Sequence, residues 1–179
     1  MSRKNDPVLE RAIRNIADFP KAGIIFRDIT SLIQNKSAFK KAVDLLADKY
    51  KGKKINKVVG VEARGFIFGA ALAHKIGAGF IPVRKKGKLP CKTISATYAL
   101  EYGTDTLEIH EDAIEPGEKI LIIDDLLATG GTVKAVTGLV NKLKGKIRGI
   151  GFVIELVDLK GKEKLKGYPV FSLVKFRGH

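Results

Sequence analysis

The segment 119–132 constrains the fold of this chain most strongly. It opens with a run of apolar residues, 120–123, which ends at two aspartates, Asp124 and Asp125. An uninterrupted apolar run of this kind is typical of a strand that is buried on both faces, as in a parallel sheet. A short loop with two glycines follows, and apolar residues then recur at helical spacing over 132–143. The segment therefore predicts a strand, a loop and a helix of an α/β protein.

The same alternation of strands and helices extends over most of the chain. The predicted strands are 57–62, 79–84, 119–124, 149–155 and 169–174. The predicted helices are 65–76, 132–143 and a segment with apolar residues at helical spacing, namely Phe39, Val43, Leu46 and Tyr50. Strands joined by helices form right-handed βαβ units. We therefore expect an α/β fold with a parallel central sheet flanked by helices, in one domain over residues 1–179.

Two segments interrupt this pattern. Residues 18–31 mix proline, glycine and apolar side chains without a clear period. Residues 84–103 begin as a basic loop and continue with the alternating pattern of a strand, for which residues 107–109 are a candidate hairpin partner.

Composition excludes several classes of protein. The chain has 179 residues, 45% of them hydrophobic, which is enough to bury a core. Its longest apolar run, 65–73, is much shorter than the roughly 18 residues of a membrane span, and the first residues lack the apolar centre of a signal peptide. Cys91 is the only cysteine, so an internal disulfide is excluded, and with three histidines a dedicated metal site is not expected. We expect a cytoplasmic protein without membrane contact.

The charge balance indicates an anionic partner. Lysine and arginine number 33 against 19 acids, a formal net charge of +14. A protein this basic could bind nucleic acid or a small phosphorylated molecule. Aromatic residues are only 7% and tryptophan is absent, so the basic segments lack the aromatic platform of many RNA-binding proteins. We therefore expect a small phosphorylated substrate and no nucleic-acid partner.

The loop Thr129-Gly130-Gly131-Thr132 is a candidate phosphate site. Backbone N–H groups at a helix N-terminus point at a bound anion, glycines leave room for it, and threonine hydroxyls add donors. The alternative is a simple turn with a threonine N-cap, in which nearby acids only favour the start of the helix. Two adjacent acids beside a phosphate cradle favour the functional interpretation, because they could meet hydroxyl groups or a metal-complexed ligand.

This combination of apolar strand, two acids and small-residue loop resembles the signature of the type I phosphoribosyltransferases, which bind 5-phosphoribosyl-1-pyrophosphate (PRPP). It is neither a Walker A loop nor a GxGxxG dinucleotide motif. The resemblance implies that Asp124 and Asp125 face the ribose hydroxyls. It also implies that the 5-phosphate lies among Ala128, Thr129, Gly130, Gly131 and Thr132. The fold would include a small N-terminal hood, residues 18–31, and a flexible hairpin lid, residues 85–110.

Basic residues follow two other predicted strands. Arg64 lies in the turn 62–65, and the run 84–88 contains Arg84 and Lys88. Taken alone, each group is typical of a solvated turn or loop. Because both follow strands of the predicted sheet, they should meet the phosphate loop at one edge. The resemblance implies that Arg64, Arg84 and Lys88 bind the pyrophosphate of PRPP, with a strained peptide in the turn 62–65. It further implies that Mg²⁺ arrives with PRPP and needs no metal site of the protein.

Further motifs match the family in order along the chain. They are FPKAGIIFRDIT, VEARGFIFG, VRKKGKLP and YALEYGTDTLEIH, and their likeness is to members that act on adenine. The resemblance therefore implies that adenine and PRPP give AMP and pyrophosphate in purine salvage, and that the protein is a homodimer. In the hood, Ile25 and Arg27 would bind the adenine edge through their backbones. Phe26 would stack on the base, although most phenylalanines are core residues.

Glu101 is the candidate catalytic residue. From the residues alone it is a solvated glutamate of a strand. The resemblance implies that it handles the proton that adenine loses, beneath a lid that excludes water.

Two other functions remain open. A PRPP-binding regulator without catalysis would need a DNA-binding module, and the residues before Asp18 are too few for one. A related enzyme could act on hypoxanthine, guanine, xanthine or orotate, but the hood motif and the segment around Glu101 argue against it.

Overall fold

The computed structural model describes residues 5–99 and 103–178, in which strands and helices alternate along the chain. The strands are β1 Arg14–Ala17, β2 Ile25–Asp28, β3 Lys57–Val61, β4 Gly79–Lys85, β5 Thr93–Ala99, β6 Thr104–His110, β7 Lys119–Leu127, β8 Lys146–Leu156 and β9 Val170–Phe176. The helices are α1 Pro7–Ala12, α2 Thr30–Gln34, α3 Lys36–Tyr50, α4 Arg64–Ile76 and α5 Gly131–Lys142, and two 3-10 turns cover Val157–Leu159 and Gly161–Leu165.

Seven of the strands form one sheet in the order β5-β6-β4-β3-β7-β8-β9. The five strands from β4 to β9 in that order are parallel, whereas β6 is antiparallel to β4 and β5 is antiparallel to β6. The predicted parallel sheet is confirmed, and the predicted hairpin extends one of its edges. β7 lies between β3 and β8, so the carboxyl end of this strand is at the middle of the parallel region.

The apolar run of β7 is explained by helices on both faces of the sheet. Leu121 and Ile123 lie in a core cluster with residues of α3 and α4. Ile120 and Ile122 point the other way, into a second cluster with residues of α5. All four side chains are fully buried, which explains why the strand shows no polar alternation. Of the helices in the described ranges, none is both long enough and apolar enough to cross a membrane.

Local signals fix the start of α3 and the end of α4. The side chain of Asn35 accepts hydrogen bonds from the N–H groups of Ser37 and Ala38 at the start of α3, as an N-cap does. Gly77 ends α4 with a φ of 69°, a left-handed conformation that glycine adopts without strain. The end of α4 at Ile76 agrees with the helix predicted over 65–76.

The segment predicted as a hood contributes one strand, β2, to a small two-stranded ribbon. β1 and β2 pair antiparallel, with Ile16 opposite Phe26. β2 lies within the predicted range 18–31, but β1 begins at Arg14, before it. The sequence analysis missed β1 because three of its four residues are exposed and give no apolar period. Phe19, between the two strands, is 51% exposed.

Candidate active site

A cleft of about 460 Å³ opens at the carboxyl ends of β3 and β7. It is lined by residues 61–64 after β3, by residues 124–133 at the end of β7 and the start of α5, and by Lys85, Tyr98 and Asp105 from β4 and the edge hairpin. Ligands of parallel α/β proteins bind at this end of the strands. The structure therefore brings the turn 62–65 and the candidate phosphate loop into one site, as expected.

Residues 128–132 comprise the loop before α5 and the first two residues of that helix, and all five line the cleft. Gly130 is the N-cap residue, has a φ of 78°, and provides no side chain to cap the helix. The N–H groups of the first turn of α5 thus lack a capping side chain from this residue, which is the condition in which a helix N-terminus attracts an anion.

Asp124 and Asp125 lie beside this loop, and both are nearly buried, with exposures of 8% and 6%. The backbone N–H of Asp125 donates to Oδ1 of Asp124 at 2.9 Å. Burial and the charge of the neighbouring Asp125 raise the pKa of Asp124 well above its usual value. The sequence predicted that the strand ends at these acids. In the structure β7 continues to Leu127, so Asp124 and Asp125 lie within the strand.

Arg64 connects the acids to the turn after β3. Its Nε is 2.5 Å from Oδ2 of Asp125. The next residue, Gly65, packs so closely on β7 that an added Cβ would lie 2.8 Å from Oδ1 of Asp124. A glycine is therefore required here by the close contact between α4 and β7. The peptide bond between Glu62 and Ala63 in this turn is cis.

Glu62 forms ion pairs with two basic residues at the end of β4 and just after it. Its Oε1 lies 3.2 Å from Nη2 of Arg84 and 2.9 Å from Nζ of Lys88, and its Oε2 accepts the backbone N–H of Lys85. Burial raises the pKa of Glu62, but these donors outweigh burial and lower it to about 2. Glu62 lines the cleft, while Arg84 and Lys88 do not. Two of the three predicted pyrophosphate ligands are thus held at the edge of the site by a carboxylate.

The edge hairpin brings residues that sequence reasoning did not assign. Lys85 was noted only as part of the basic run, and here its Nζ lies 3.0 Å from Oδ2 of Asp105. Tyr98 is the register partner of Asp105 across β5 and β6. An alignment of the two strands in the sequence could have predicted that Tyr98 lies opposite Asp105. It could not have predicted that the pair lies at the cleft. Glu101 lies outside the described residues.

The hood approaches the cleft through Arg64. The guanidinium carbon of Arg64 is 6.0 Å from the ring centre of Phe26, whose ring also packs edge to face on Phe19. The side chain of Arg27 is held elsewhere: it donates to Oδ1 of Asn15 at 2.6 Å, and burial lowers its pKa. Phe26 therefore lies near one residue of the cleft, Arg64, but Ile25, Phe26 and Arg27 do not themselves line the cleft.

The fold and the cleft define a phosphoribosyltransferase. The model of the family described as "Phosphoribosyl transferase domain" matches residues 28–176, and the chain belongs to this family. The family expected from the sequence is thereby confirmed.

Relatives at high identity include adenine phosphoribosyltransferases of several bacteria. Adenine phosphoribosyltransferase of Halothermothrix orenii is 60% identical over 93% of this chain and 98% of its own length. The protein of that name from Escherichia coli O157:H7 is 55% identical over 96% of this chain and 94% of its own. The crystal structure of adenine phosphoribosyltransferase from Thermoanaerobacter pseudethanolicus superposes with a TM-score of 0.90 at 50% identity, covering 94% of this chain and 98% of that chain. The enzyme from Saccharomyces cerevisiae, complexed with an imino-altritol bisphosphate and adenine, gives 0.88 at 42% identity, covering 93% and 96%.

Proposed function

We propose that this chain transfers the 5-phosphoribosyl group of PRPP to adenine, giving AMP and pyrophosphate, as a single domain over residues 1–179 in purine salvage. The observation that carries the proposal is the cleft in which the uncapped start of α5, the two aspartates and Arg64 lie together. Relatives at 52–60% identity over nearly their full length are adenine phosphoribosyltransferases, which supports the choice of adenine.

Each end of PRPP has a counterpart in the cleft. The 5-phosphate binds the loop 128–132, where backbone N–H groups and threonine hydroxyls are available. The ribose hydroxyls meet Asp124 and Asp125, since carboxylates are strong acceptors for O–H donors. The pyrophosphate lies toward Arg64. Arg84 and Lys88 leave their ion pairs with Glu62 and bind the pyrophosphate oxygens instead.

Adenine binds between the hood and the cleft. Phe26 is half-buried and lies near Arg64, so a flat base stacked on its ring would be close to the ribose carbon that reacts. Ile25 and Arg27 bind the edge of the base through their backbones. Backbone recognition separates adenine from hypoxanthine because an exchanged donor and acceptor leaves a buried polar group unpaired, at a cost of about 1–3 kcal/mol.

Neutralisation of the charge that develops in the transition state lowers the barrier of the reaction. Transfer at the ribose carbon has oxocarbenium character, and the departing diphosphate gathers negative charge. We propose that Mg²⁺ arrives on the diphosphate, since Mg²⁺ commonly binds substrate phosphates with only one or two protein carboxylates. Within residues 5–99 and 103–178, no group of three or more His, Cys, Asp or Glu side chains could hold a metal ion, and this arrangement needs none.

The proposed setting is a cytoplasmic homodimer. The reduced, exposed Cys91 suits a reducing compartment. The family resemblance implies the dimer, and the mass of the protein measured by light scattering would test it.

Activity with different bases tests the proposed function directly. With PRPP and Mg²⁺, we expect pyrophosphate release with adenine and at most a few per cent of that rate with hypoxanthine, guanine, xanthine or orotate. Turnover of hypoxanthine without turnover of adenine would contradict the proposal. Binding of PRPP without turnover of any base would instead favour a regulator.

Glu101→Gln tests the proposed proton acceptor. We expect kcat to fall at least about tenfold, because general acid–base catalysis contributes roughly 10²–10⁴-fold and water can replace part of it. The unfolding temperature and the affinity for PRPP should stay nearly unchanged. A raised KM for adenine alone would make Glu101 a binding residue, and wild-type kinetics would remove it from the site.

A further inference from the structure

The loop 128–132 rests on a segment that is distant in the sequence, the 3-10 turn Gly161–Leu165. An added Cβ at Gly161 would overlap the carbonyl oxygen of Ala128 and would lie 3.1 Å from the backbone nitrogen of Gly130. An added Cβ at Gly130 would lie 2.5 Å from the carbonyl oxygen of Gly161. The two backbones meet without a side chain between them, so a larger residue on either side must move backbone atoms.

The turn Gly161–Leu165 is held in place by the hydrophobic core and by an ion pair. Leu165 is buried in the core cluster that contains Val133 of α5. Nζ of Lys162 lies 2.6 Å from Oε2 of Glu155, a buried residue near the end of β8. Glu155 pairs in register with Leu127, the last residue of β7. The turn and the loop are therefore attached to neighbouring strands, and the position of one fixes the position of the other.

We propose that Gly161 is a positioning residue for the 5-phosphate. Its missing side chain lets the loop settle where the first N–H groups of α5 meet the phosphate. The inference rests on the proposed function, because it takes the loop 128–132 as the 5-phosphate cradle. Gly161 does not line the cleft, so it acts only through the loop. A methyl group there displaces the Ala128 carbonyl or the turn, and a misplacement of about 1 Å can cost roughly 100-fold.

Gly161→Ala tests this role with two ligands that divide PRPP between them. Ribose 5-phosphate carries the 5-phosphate, and inorganic pyrophosphate represents the other end. We expect calorimetry to show a Kd for ribose 5-phosphate at least about tenfold higher, with the Kd for pyrophosphate within about twofold of the unaltered protein. In the full reaction, KM for PRPP rises and KM for adenine does not. The control is Gly138→Ala in α5, where an added Cβ meets nothing within 4 Å; it should bind both ligands normally.

A second variant weakens the attachment of the turn Gly161–Leu165 without adding an atom near the loop 128–132. Glu155→Gln weakens the attachment of Lys162, and we expect an increase of about two- to fivefold in the Kd for ribose 5-phosphate alone. If Gly161→Ala does not fold, this variant decides, and an unchanged Kd overturns the proposal. A folded Gly161→Ala with normal affinity, or with equal losses for both ligands, also overturns it.

The cradle itself is tested separately by Gly131→Val. If that variant loses ribose 5-phosphate while Gly161→Ala keeps it, only the role of Gly161 is wrong. If neither variant affects ribose 5-phosphate, the loop is not the cradle, and the proposed function fails together with this inference.

Discussion

Asp124→Asn should make the protein more stable at pH 7 and much less active. The amide cannot ionise at this nearly buried site but keeps an oxygen that can accept the N–H of Asp125. We expect the unfolding temperature to rise by at least about 2 °C, the shift that about 1 kcal/mol gives in a domain of this size. We expect kcat/KM for PRPP to fall roughly 10- to 100-fold, because a hydrogen bond to a charged group contributes about 1.5–3 kcal/mol.

The pH dependence of this gain identifies its cause. The pKa of Asp124 is raised in the folded protein above its usual value of 3.8. Its contribution to stability is therefore fully present below pH 3.8, where the carboxyl is protonated in both states, and is lost as the pH rises through the folded pKa. Melting curves from pH 3 to pH 8 should show the difference between Asp124→Asn and the unaltered protein smallest at the acid end and larger toward neutrality.

Asp125→Asn is the matched control for this experiment. Asp125 forms an ion pair with Arg64, so loss of its charge removes that attraction together with the repulsion of Asp124, and the protein should be stabilised less than by Asp124→Asn. A destabilised Asp124→Asn at pH 7, or a difference between the proteins that does not change with pH, would contradict the account. Such a result would mean that ionisation of Asp124 does not lower the stability of the protein.

The sequence predicted the parts of the site that depend on neighbours along the chain. β7, the loop after it and α5 follow one another within residues 119–142, and their apolar periods change from strand to helix at the glycines. The turn 62–65 was found in the same way, between a buried strand and a helix. A local signal also agrees with the end of α4, where Gly77 follows the helix predicted over 65–76.

Contacts between distant segments were not predictable in this way. The meeting of Gly130 with Gly161 depends on where the chain returns after β8, and no period in the sequence records it. Glu62 reaches Arg84 and Lys88 because β3 and β4 are adjacent in the sheet. Basic residues were expected at this end of the sheet, but their carboxylate partner was not, because charge patterns show which residues are ionic and not which ones pair.

Gly131→Val should abolish binding of ribose 5-phosphate and of PRPP while the protein remains folded. Gly131 is the first residue of α5 and lines the cleft. A branched side chain here would occupy the space through which a phosphate approaches the N–H groups of the helix. Several charge-assisted hydrogen bonds would be lost together, each contributing about 1.5–3 kcal/mol, so we expect a Kd more than about 100-fold higher.

The same substitution elsewhere in α5 separates loss of the site from loss of the helix. Gly138 has open space around it, so Gly138→Val brings a branched residue into the helix without approaching the cleft. Both variants lose the flexibility of glycine, and both should unfold cooperatively at temperatures close to that of the unaltered protein. Calorimetry should then find normal ribose 5-phosphate affinity in Gly138→Val and none measurable in Gly131→Val. Equal affinity in the two variants would mean that the phosphate does not approach the start of α5, and the loop 128–132 would no longer explain how this protein holds its substrate.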